Sequence, residues 1–354
     1  MNPLEQQLQY PLGETQPAAG QVLDVAPDLR WVRMPLPFAL DHVNIWLMRD
    51  RVDGRDGWTV VDCGVSREDT KAHWEKIFAE GLDGLPIVRV LVTHMHPDHV
   101  GLAYWLCERF EAPLAMTLTD YTTARLFSEG GAQGGATGGE RAAAFFRRHG
   151  VVDGPSLEQL RERKSYYASL VPAVPPAFDR IADGDKVRIG GREWQVVIGE
   201  GHAPEHASLY CDALGVFIAG DMVLPRISTN VSVQDYEPNG DPLRLYLQSL
   251  DKYGFMPADT LVLPSHGRPF HGLHTRIAQQ RAHHAERLAE VKEACAQSPC
   301  SAADIVPIMF KRKLDLHQLT FALGEALAHL HTLYFRGELT RHTDADGVIR
   351  FSPA

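Results

Sequence analysis

Residues 93–99 read Thr-His-Met-His-Pro-Asp-His, which places three imidazoles and one carboxylate within seven consecutive residues. The preceding residues, 87–92, are mostly β-branched and apolar, as is typical of a strand buried in a sheet. A helix is predicted to follow over residues 99–110. Because the loop after a buried strand lies at the sheet edge where α/β proteins place their functional sites, the segment predicts such a site.

The spacing within this segment separates its side chains into two sets. In an extended turn, His94 and His96 occupy alternate positions and can converge on one ion. Asp98 and His99 follow the bend at Pro97 and can face a second point nearby. Imidazole and carboxylate groups suit Zn²⁺, iron or Mn²⁺. The motif therefore predicts a metal site.

Three further candidate ligands follow apolar strands elsewhere in the chain. They are His202, Asp221 and His266, each of which stands next to a glycine. The strands that precede them are predicted over residues 194–198, 216–219 and 261–263. Because each candidate lies just beyond a strand, we expect all three at the same kind of sheet edge as the first segment.

Composition limits the class of protein. The chain has 354 residues, of which 44% are hydrophobic and 23% charged, so it has ample material for a core. Its net charge of −10 argues against nucleic acid or an anionic membrane as the main partner. Five cysteines without a Cys-x-x-Cys pair suit a reducing, cytoplasmic setting. No apolar run reaches the roughly 18 residues of a membrane span, and no secretion signal is recognised.

The order of predicted elements suggests three parts. Residues 1–25 are polar and are expected to form an N-terminal arm. Residues 26–272 alternate strands and helices and are expected to carry the site. Within them, residues 120–180 are expected to be a mainly helical insertion, which includes a glycine-rich, mobile segment at 130–139. Residues 273–354 are expected to form a C-terminal helical domain.

The C-terminal part begins with a long, charged amphipathic helix, in which His283 and His284 are expected on a solvated face. Ser301 is expected to cap a short second helix. A third helix with an apolar stripe and a β-hairpin complete the chain.

The motifs THMHPDHVG, GHAPEHAS, AGD and PSHG occur in this order and together resemble the metallo-β-lactamase fold superfamily, over roughly residues 29–273. The resemblance implies an α+β fold, a four-layer αβ/βα sandwich with a helical insertion and a C-terminal winged-helix-like domain. The ligands it implies are His94, His96 and His202 for one ion, Asp98, His99 and His266 for a second, and Asp221 as the bridge between them. Asp62, in the motif VVDCG, would orient the ligands from behind.

Within this superfamily, the C-terminal part is similar to the winged-helix appendage of LACTB2-like hydrolases, and glyoxalase II-type enzymes share the seven ligands. Winged helices often bind nucleic acid. Residues 301–354, however, hold six basic and six acidic residues, a net charge of 6 − 6 = 0. Nucleic acid is therefore not favoured as a partner, and a structural or dimerising role, giving a homodimer, is expected.

A centre of this kind implies hydrolysis by a metal-bridging hydroxide on two zinc ions, with iron or manganese as alternatives. Asp98 would orient the hydroxide and pass a proton to the leaving group. The expected substrate is a small-molecule ester or thioester, for example an acyl-CoA-like one. Tyr166, Tyr167 and His271 are candidates for lining its pocket.

Two other functions stay open on the sequence alone. The similarity to LACTB2-like hydrolases favours a nuclease or phosphodiesterase. The ligand set also fits a metal-binding effector protein in which hydrolysis is vestigial.

Overall fold

The computed structural model describes residues 4–130, 138–163 and 166–354, so most of the glycine-rich segment at 130–139 lies outside the described residues. Two β-sheets combined with helices confirm the α+β fold class predicted from the sequence. Within the described ranges, no helix is both long and apolar enough to cross a membrane.

The larger sheet has seven strands, and their spatial order follows their order in the sequence. They are β1 (Val22–Ala26), β2 (Leu29–Pro35), β3 (His42–Val52), β4 (Arg55–Val61), β5 (Ile87–Leu91), β6 (Leu114–Met116) and β7 (Asp179–Arg180). Strands β1 to β4 pair antiparallel, and β4 to β7 pair parallel. Parallel pairs need crossover connections, which α1 (Glu68–Glu80), α2 (Pro97–Val100) and α3 (Ala103–Phe110) supply between β4 and β6.

The smaller sheet has five strands in the order β12-β11-β10-β9-β8. They are β8 (Lys186–Ile189), β9 (Arg192–Gly199), β10 (His206–Cys211), β11 (Val216–Gly220) and β12 (Leu261–Pro264). Only the β11–β12 pair of this sheet is parallel. Parallel pairing places the ends of β11 and β12 at one edge, so Asp221 and His266, which follow these strands, are brought together.

The two sheets pack face to face through one apolar core. Trp31 and Trp46 of the larger sheet belong to the same buried cluster as Trp194 and Leu209 of the smaller sheet. The indole Nε1 of Trp31 donates a hydrogen bond to Oδ1 of Asn44 at 2.8 Å, so its polar atom is also satisfied. This close-packed interior gives the loops at the sheet edge a rigid base.

The predicted N-terminal arm is partly incorporated into the larger sheet. Val22–Ala26 forms its edge strand β1, so the expected boundary at residue 25 falls inside a strand. Leu8 is buried, and Gln9 forms a β-bridge with His271. None of the residues of β1 is buried, so its sequence lacks the apolar alternation that predicts a strand. Its extended conformation depends instead on pairing with β2.

The chain divides into two compact units, each discontinuous in sequence. The first unit comprises residues 1–129, 167–229 and 252–277, and the second comprises residues 130–166, 230–251 and 278–354. The insertion predicted at 120–180 is therefore divided, and its middle belongs to the same unit as the C-terminal part. The boundaries predicted at 25/26 and 272/273 differ from the limits of these units. The units are defined by contacts between residues distant in sequence, which the order of elements along the chain does not show.

The second unit is mainly helical and ends in a hairpin. Its elements are α5 (Gly139–Arg148), α6 (Gly154–Glu162), α8 (Pro242–Asp251), α10 (Ala302–Met309), α11 (Leu316–Phe335), β13 (Leu339–Thr343) and β14 (Ile349–Pro353). The remaining helices are α4 (Leu118–Glu129) and α7 (Tyr166–Leu170), which lie almost wholly in the first unit, and α9 (Leu273–Gln297), which begins there and continues into the second. Ser301 caps α10 as predicted, through a reciprocal pair of hydrogen bonds with Asp304.

His284 is fully buried, and the prediction of a solvated face was wrong for this residue. Its Nδ1 lies 3.2 Å from Nε2 of His329 on α11. Because Nδ1 of His329 donates to the carbonyl of Glu325 at 2.8 Å, His329 accepts from His284 through Nε2. The charged residues around position 284 gave no sign that α11 covers this side of α9.

Two short helices, α2 and α3, replace the single helix predicted over residues 99–110. At the break, the N–H of Leu102 donates to the carbonyl of Gly64 at 3.1 Å. A Cβ added at Gly101 would lie 2.6 Å from that carbonyl oxygen and 2.5 Å from the carbonyl oxygen of Pro97. Only glycine leaves room for this approach of the backbone, which ties the motif at 93–99 to the end of β4.

Gly101→Ala is expected to lower the free energy of unfolding by about 1–3 kcal/mol, because the new methyl group meets backbone atoms that cannot rotate away. Urea unfolding of the full chain measures this change. Gly254→Ala is the matched control, because no atom lies within 4 Å of a Cβ built there. Equal stabilities of the two variants would contradict the close approach at Gly101.

Candidate metal centre

Three imidazole nitrogens converge in the first group of predicted ligands. Nε2 of His94 lies 2.9 Å from Nδ1 of His96, which lies 3.1 Å from Nε2 of His202. The two Nε2 atoms of His94 and His202 are 3.2 Å apart. Nitrogens bound tetrahedrally to one zinc ion at about 2.05 Å would be about 3.3 Å apart. The three atoms are thus spaced as ligands of a single cation.

A second group lies beside the first. Nε2 of His99 and Nε2 of His266 are each 3.5 Å from Oδ2 of Asp98. His99 and His266 are buried, and Asp98 is largely so. These three side chains again offer one ligand atom each around a common point.

Asp221 faces both groups with different oxygens. Its Oδ2 lies 3.2 Å from Nε2 of His202, in the first group. Its Oδ1 lies 3.4 Å from Nε2 of His266 and 3.7 Å from Nε2 of His99, in the second group. The backbone N–H of Asp221 donates to Nε2 of His206 at 3.1 Å, which fixes the start of this loop. The carboxylate therefore stands where a bridging ligand would stand.

Two buried polar atoms test whether these residues fit metal ions. Nε2 of His99 and Oδ1 of Asp221 are inaccessible to solvent and have no hydrogen-bond partner among the described residues. Unsatisfied buried atoms of this kind are costly, and a cation between them would satisfy both. The donor set of imidazoles and carboxylates also matches zinc, iron or manganese. The residues fit a pair of divalent cations.

Asp62 lies behind the site, as expected from its motif. Its Oδ2 lies 2.8 Å from Nδ1 of His99, and its Oδ1 accepts the backbone N–H of Thr93 at 2.8 Å. His266 is held in the same way, since its Nδ1 donates to the carbonyl of His42 at 2.7 Å. Because each Nδ1 carries a hydrogen bond, each Nε2 is left to face the centre.

The two groups differ electrostatically. Burial lowers the pKa of His94 well below its usual range and the pKa of His96 to about 3, and neighbouring histidines add to both shifts. Burial also disfavours protonation of His99 and His266, but the surrounding carboxylates outweigh it and raise both pKa values. His94 and His96 are therefore neutral and ready for a cation, whereas in the second group a cation must displace protons.

Asp120 also supports the site and was not predicted from the sequence. Its Oδ1 accepts the N–H of Met95, between His94 and His96, at 2.8 Å. Its Oδ2 accepts the N–H of Glu205, three residues after His202, at 2.6 Å. One buried carboxylate thus ties together the two loops that carry the first group. Its place just after β6 was the available signal, because the other site residues also follow strands.

The three residues predicted to line the substrate pocket contact residues outside the two ligand groups. Tyr167 is buried, and its hydroxyl donates to the carbonyl of Met95, so it supports the loop from behind. Tyr166 belongs to the second unit, where Arg163 lies 4.0 Å above its ring. Nδ1 of His271 lies 3.3 Å from the carbonyl oxygen of Thr260. None of the three belongs to the two ligand groups, and a role in lining the pocket stays a prediction.

A family model described as the metallo-beta-lactamase superfamily matches residues 39–266, and one described as the metallo-beta-lactamase-like, C-terminal domain matches residues 288–354. The crystal structure of a beta-lactamase domain protein from Burkholderia ambifaria shares 58% identity over 100% of both chains, with a TM-score of 0.94. The probable metallo-hydrolase YqjP of Bacillus subtilis is 24% identical, over 91% of this chain and 97% of that protein. A hydroxyacylglutathione hydrolase from Cereibacter sphaeroides is 31% identical over 93 residues, which are 26% of this chain and 34% of that protein.

The first family model covers more than half of the chain, and the Burkholderia structure is similar along its whole length. The chain therefore belongs to the metallo-β-lactamase superfamily and is an enzyme of the metallo-hydrolase class.

Asp120→Asn is expected to weaken binding of the first ion by about ten- to a hundredfold, because an amide offers one oxygen where two N–H donors now need one each. Binding of the second ion should weaken less, since the two N–H groups that Asp120 holds, those of Met95 and Glu205, lie next to ligands of the first group. Titration against a competing chelator resolves the two affinities. Asp179→Asn, at an exposed position in β7, is the control. Equal weakening of both ions would contradict a selective support.

Acidification is expected to release the second ion before the first. A proton competes for a ligand once the pH falls below the pKa of that ligand. The pKa values of His99 and His266 in the second group are raised, and those of His94 and His96 in the first are lowered. Metal content after dialysis against metal-free buffers between pH 8 and pH 4 should fall in two steps. Loss of both ions at one pH, or an unchanged content at pH 4, would contradict the difference in proton affinity between the two groups.

Proposed function

We propose that the chain is a dinuclear, zinc-dependent hydrolase that acts on a small-molecule ester or thioester in the cytoplasm. The position of Asp221 carries the proposal, because its two oxygens face two separate groups of ligands. A site for one ion would need only one of these groups. The imidazoles of the first group favour zinc, which binds nitrogen ligands readily. Iron and manganese are the alternatives, and metal analysis distinguishes them from zinc.

Held by these ligands, two divalent cations would lower the pKa of a shared water and polarise the bond under attack. The chain itself supplies Asp98. Burial opposes ionisation of this carboxyl, but His99 and His266 outweigh it and lower its pKa to about 2. Asp98 is therefore an ionised carboxylate, which can orient the attacking water, take up a proton from it and return that proton to the leaving group.

The similarity to a hydroxyacylglutathione hydrolase supports an acyl thioester as the substrate class. The net charge of −10 disfavours a polyanionic substrate such as nucleic acid. A panel of thioesters, lactones, β-lactams and phosphodiesters, assayed together with metal analysis, tests the proposal. Highest turnover of a thioester or other ester, with two zinc ions per chain, is the expected result. Highest turnover of a phosphodiester, or turnover that resists metal removal, would overturn it.

Single-ligand variants separate the two ions. His202→Ala should mainly remove the ion of the first group and His266→Ala the ion of the second. Each should raise the activation barrier by several kcal/mol, which lowers kcat/KM about a thousandfold, because both ions act on the same reacting groups. Metal analysis and kinetics on the best substrate of the panel measure both effects.

His73→Ala in α1 is the control, since this histidine belongs to neither group of ligands. Two ions and near-normal turnover in His266→Ala would disprove the dinuclear assignment and leave a one-metal mechanism in its place.

A further inference from the structure

The second unit contains a cavity of about 290 Å³ that is lined by cationic and neutral polar side chains. Small-molecule sites occupy roughly 300–1,000 Å³, so this volume is near the lower end of that range. Its polar lining comes from three separate segments, namely Arg148 and His149 at the end of α5, Asn239, and Arg341, His342 and Thr343 on β13. No carboxylate lines the cavity.

The two arginines of this cavity lack counter-ions within the described part of the chain. Neither Arg148 nor Arg341 forms an ion pair with a described carboxylate, although the chain carries 45 acidic residues. Arg341 is positioned by neutral groups, because its guanidinium lies 4.7 Å above the ring of Tyr334 and donates to Oδ1 of Asn239 at 3.1 Å. An arginine held in place by neutral partners keeps its full charge for a ligand.

His149 adds a buried polar atom without a partner. Its side chain is only 4% exposed, and its ring packs against Phe145 with centroids 4.7 Å apart. Nδ1 has no hydrogen-bond partner among the described residues. Burial, and then the neighbouring His331, Arg148 and Arg341, lower the pKa of this histidine to about 3. A neutral imidazole is thus held close to two guanidinium groups, whose charges favour the binding of an anion.

Asp241, two residues beyond Asn239, is already engaged by other side chains. Asp241, which influences His331, accepts hydrogen bonds from Thr332 at 2.6 Å and from Nε of Arg244 at 3.3 Å. Its charge is therefore partly compensated away from the cavity.

We propose that this cavity binds the phosphate group of a small phosphorylated molecule. Guanidinium groups match the tetrahedral oxygens of phosphate through paired hydrogen bonds, and Asn239 and Thr343 add neutral donors. The volume exceeds that of a phosphate alone. The apolar side chains of Phe145, Pro238 and Ile349, which also line the cavity, offer a surface for the attached organic part. The site lies outside the metal ligands and extends the function of the protein beyond hydrolysis.

The sequence concealed this site because its charges come from distant segments. Residues 301–354 have a net charge of zero, which argued against anionic partners. Arg148 lies outside that range, and only the fold brings it to the same cavity as Arg341.

Isothermal titration calorimetry of the full, metal-loaded chain with ADP as the probe, in about 0.15 M salt, tests the proposal. ADP should bind saturably, and adenosine, which lacks phosphate, should not. Arg148→Gln combined with Arg341→Gln should weaken ADP binding at least about tenfold. Arg147→Gln combined with Arg336→Gln is the matched control, because it removes the same charge from exposed positions in the same unit that do not line the cavity.

Arg148→Glu gives a second variant at an exposed position, where folding is not at risk. His266→Ala shows whether ADP binds at the metal centre instead, and it should leave ADP binding unchanged. The proposal is overturned by absence of saturable binding, by equal loss in the cavity and control variants, or by loss only in His266→Ala. Binding of duplex DNA but not of ADP through Arg148 and Arg341 would also overturn it, in favour of a nucleic-acid surface.

Discussion

The imidazole of His99 is fully buried among three carboxylates, and its contact with Asp62 is the constraint on which the site depends. Asp62 adopts a left-handed backbone conformation, with φ of 67°, that is unfavourable for a residue other than glycine. The cost is offset because the carboxylate accepts the N–H of Thr93 and faces Nδ1 of His99. The end of β4 is thereby joined to the loop after β5, and the ring is turned so that Nε2 points to the centre.

The packed sheets explain why such a cluster can exist. The site buries several imidazoles and carboxylates, some of whose atoms lack partners, and burying them costs free energy that the apolar core must offset. Trp31 of that core donates to Asn44, which in turn donates to the carbonyls of Pro264 and Gly267 on either side of His266. The parallel pairing of β11 with β12 brings Asp221 and His266 to one edge. Cations at this edge would satisfy the atoms that the protein itself leaves unpaired, so the binding of metal and the stability of the loops are linked.

Much of the site could be predicted because its signals are local. The alternation of His94 and His96, and the glycines beside His202 and Asp221, are visible within a few residues of sequence. The strands that precede them are short apolar runs, and the structure contains each of them. Asp120 was missed because its role is to join Met95 to Glu205, which are 110 residues apart, and no local pattern marks such a connection.

The sequence by itself determined which imidazoles and carboxylates are candidate ligands, how they are spaced and that they follow apolar strands, because these features follow from backbone periodicity and side-chain chemistry. The tertiary structure alone decided that β1 joins the sheet, that α11 covers His284, and that Gly101 must be glycine to admit Gly64. It alone also brought Arg148 and Arg341 to one cavity. Each of these features is a contact between segments distant in sequence. Such contacts are fixed by how the elements pack, and periodicity within one segment carries no information about the partner that covers it.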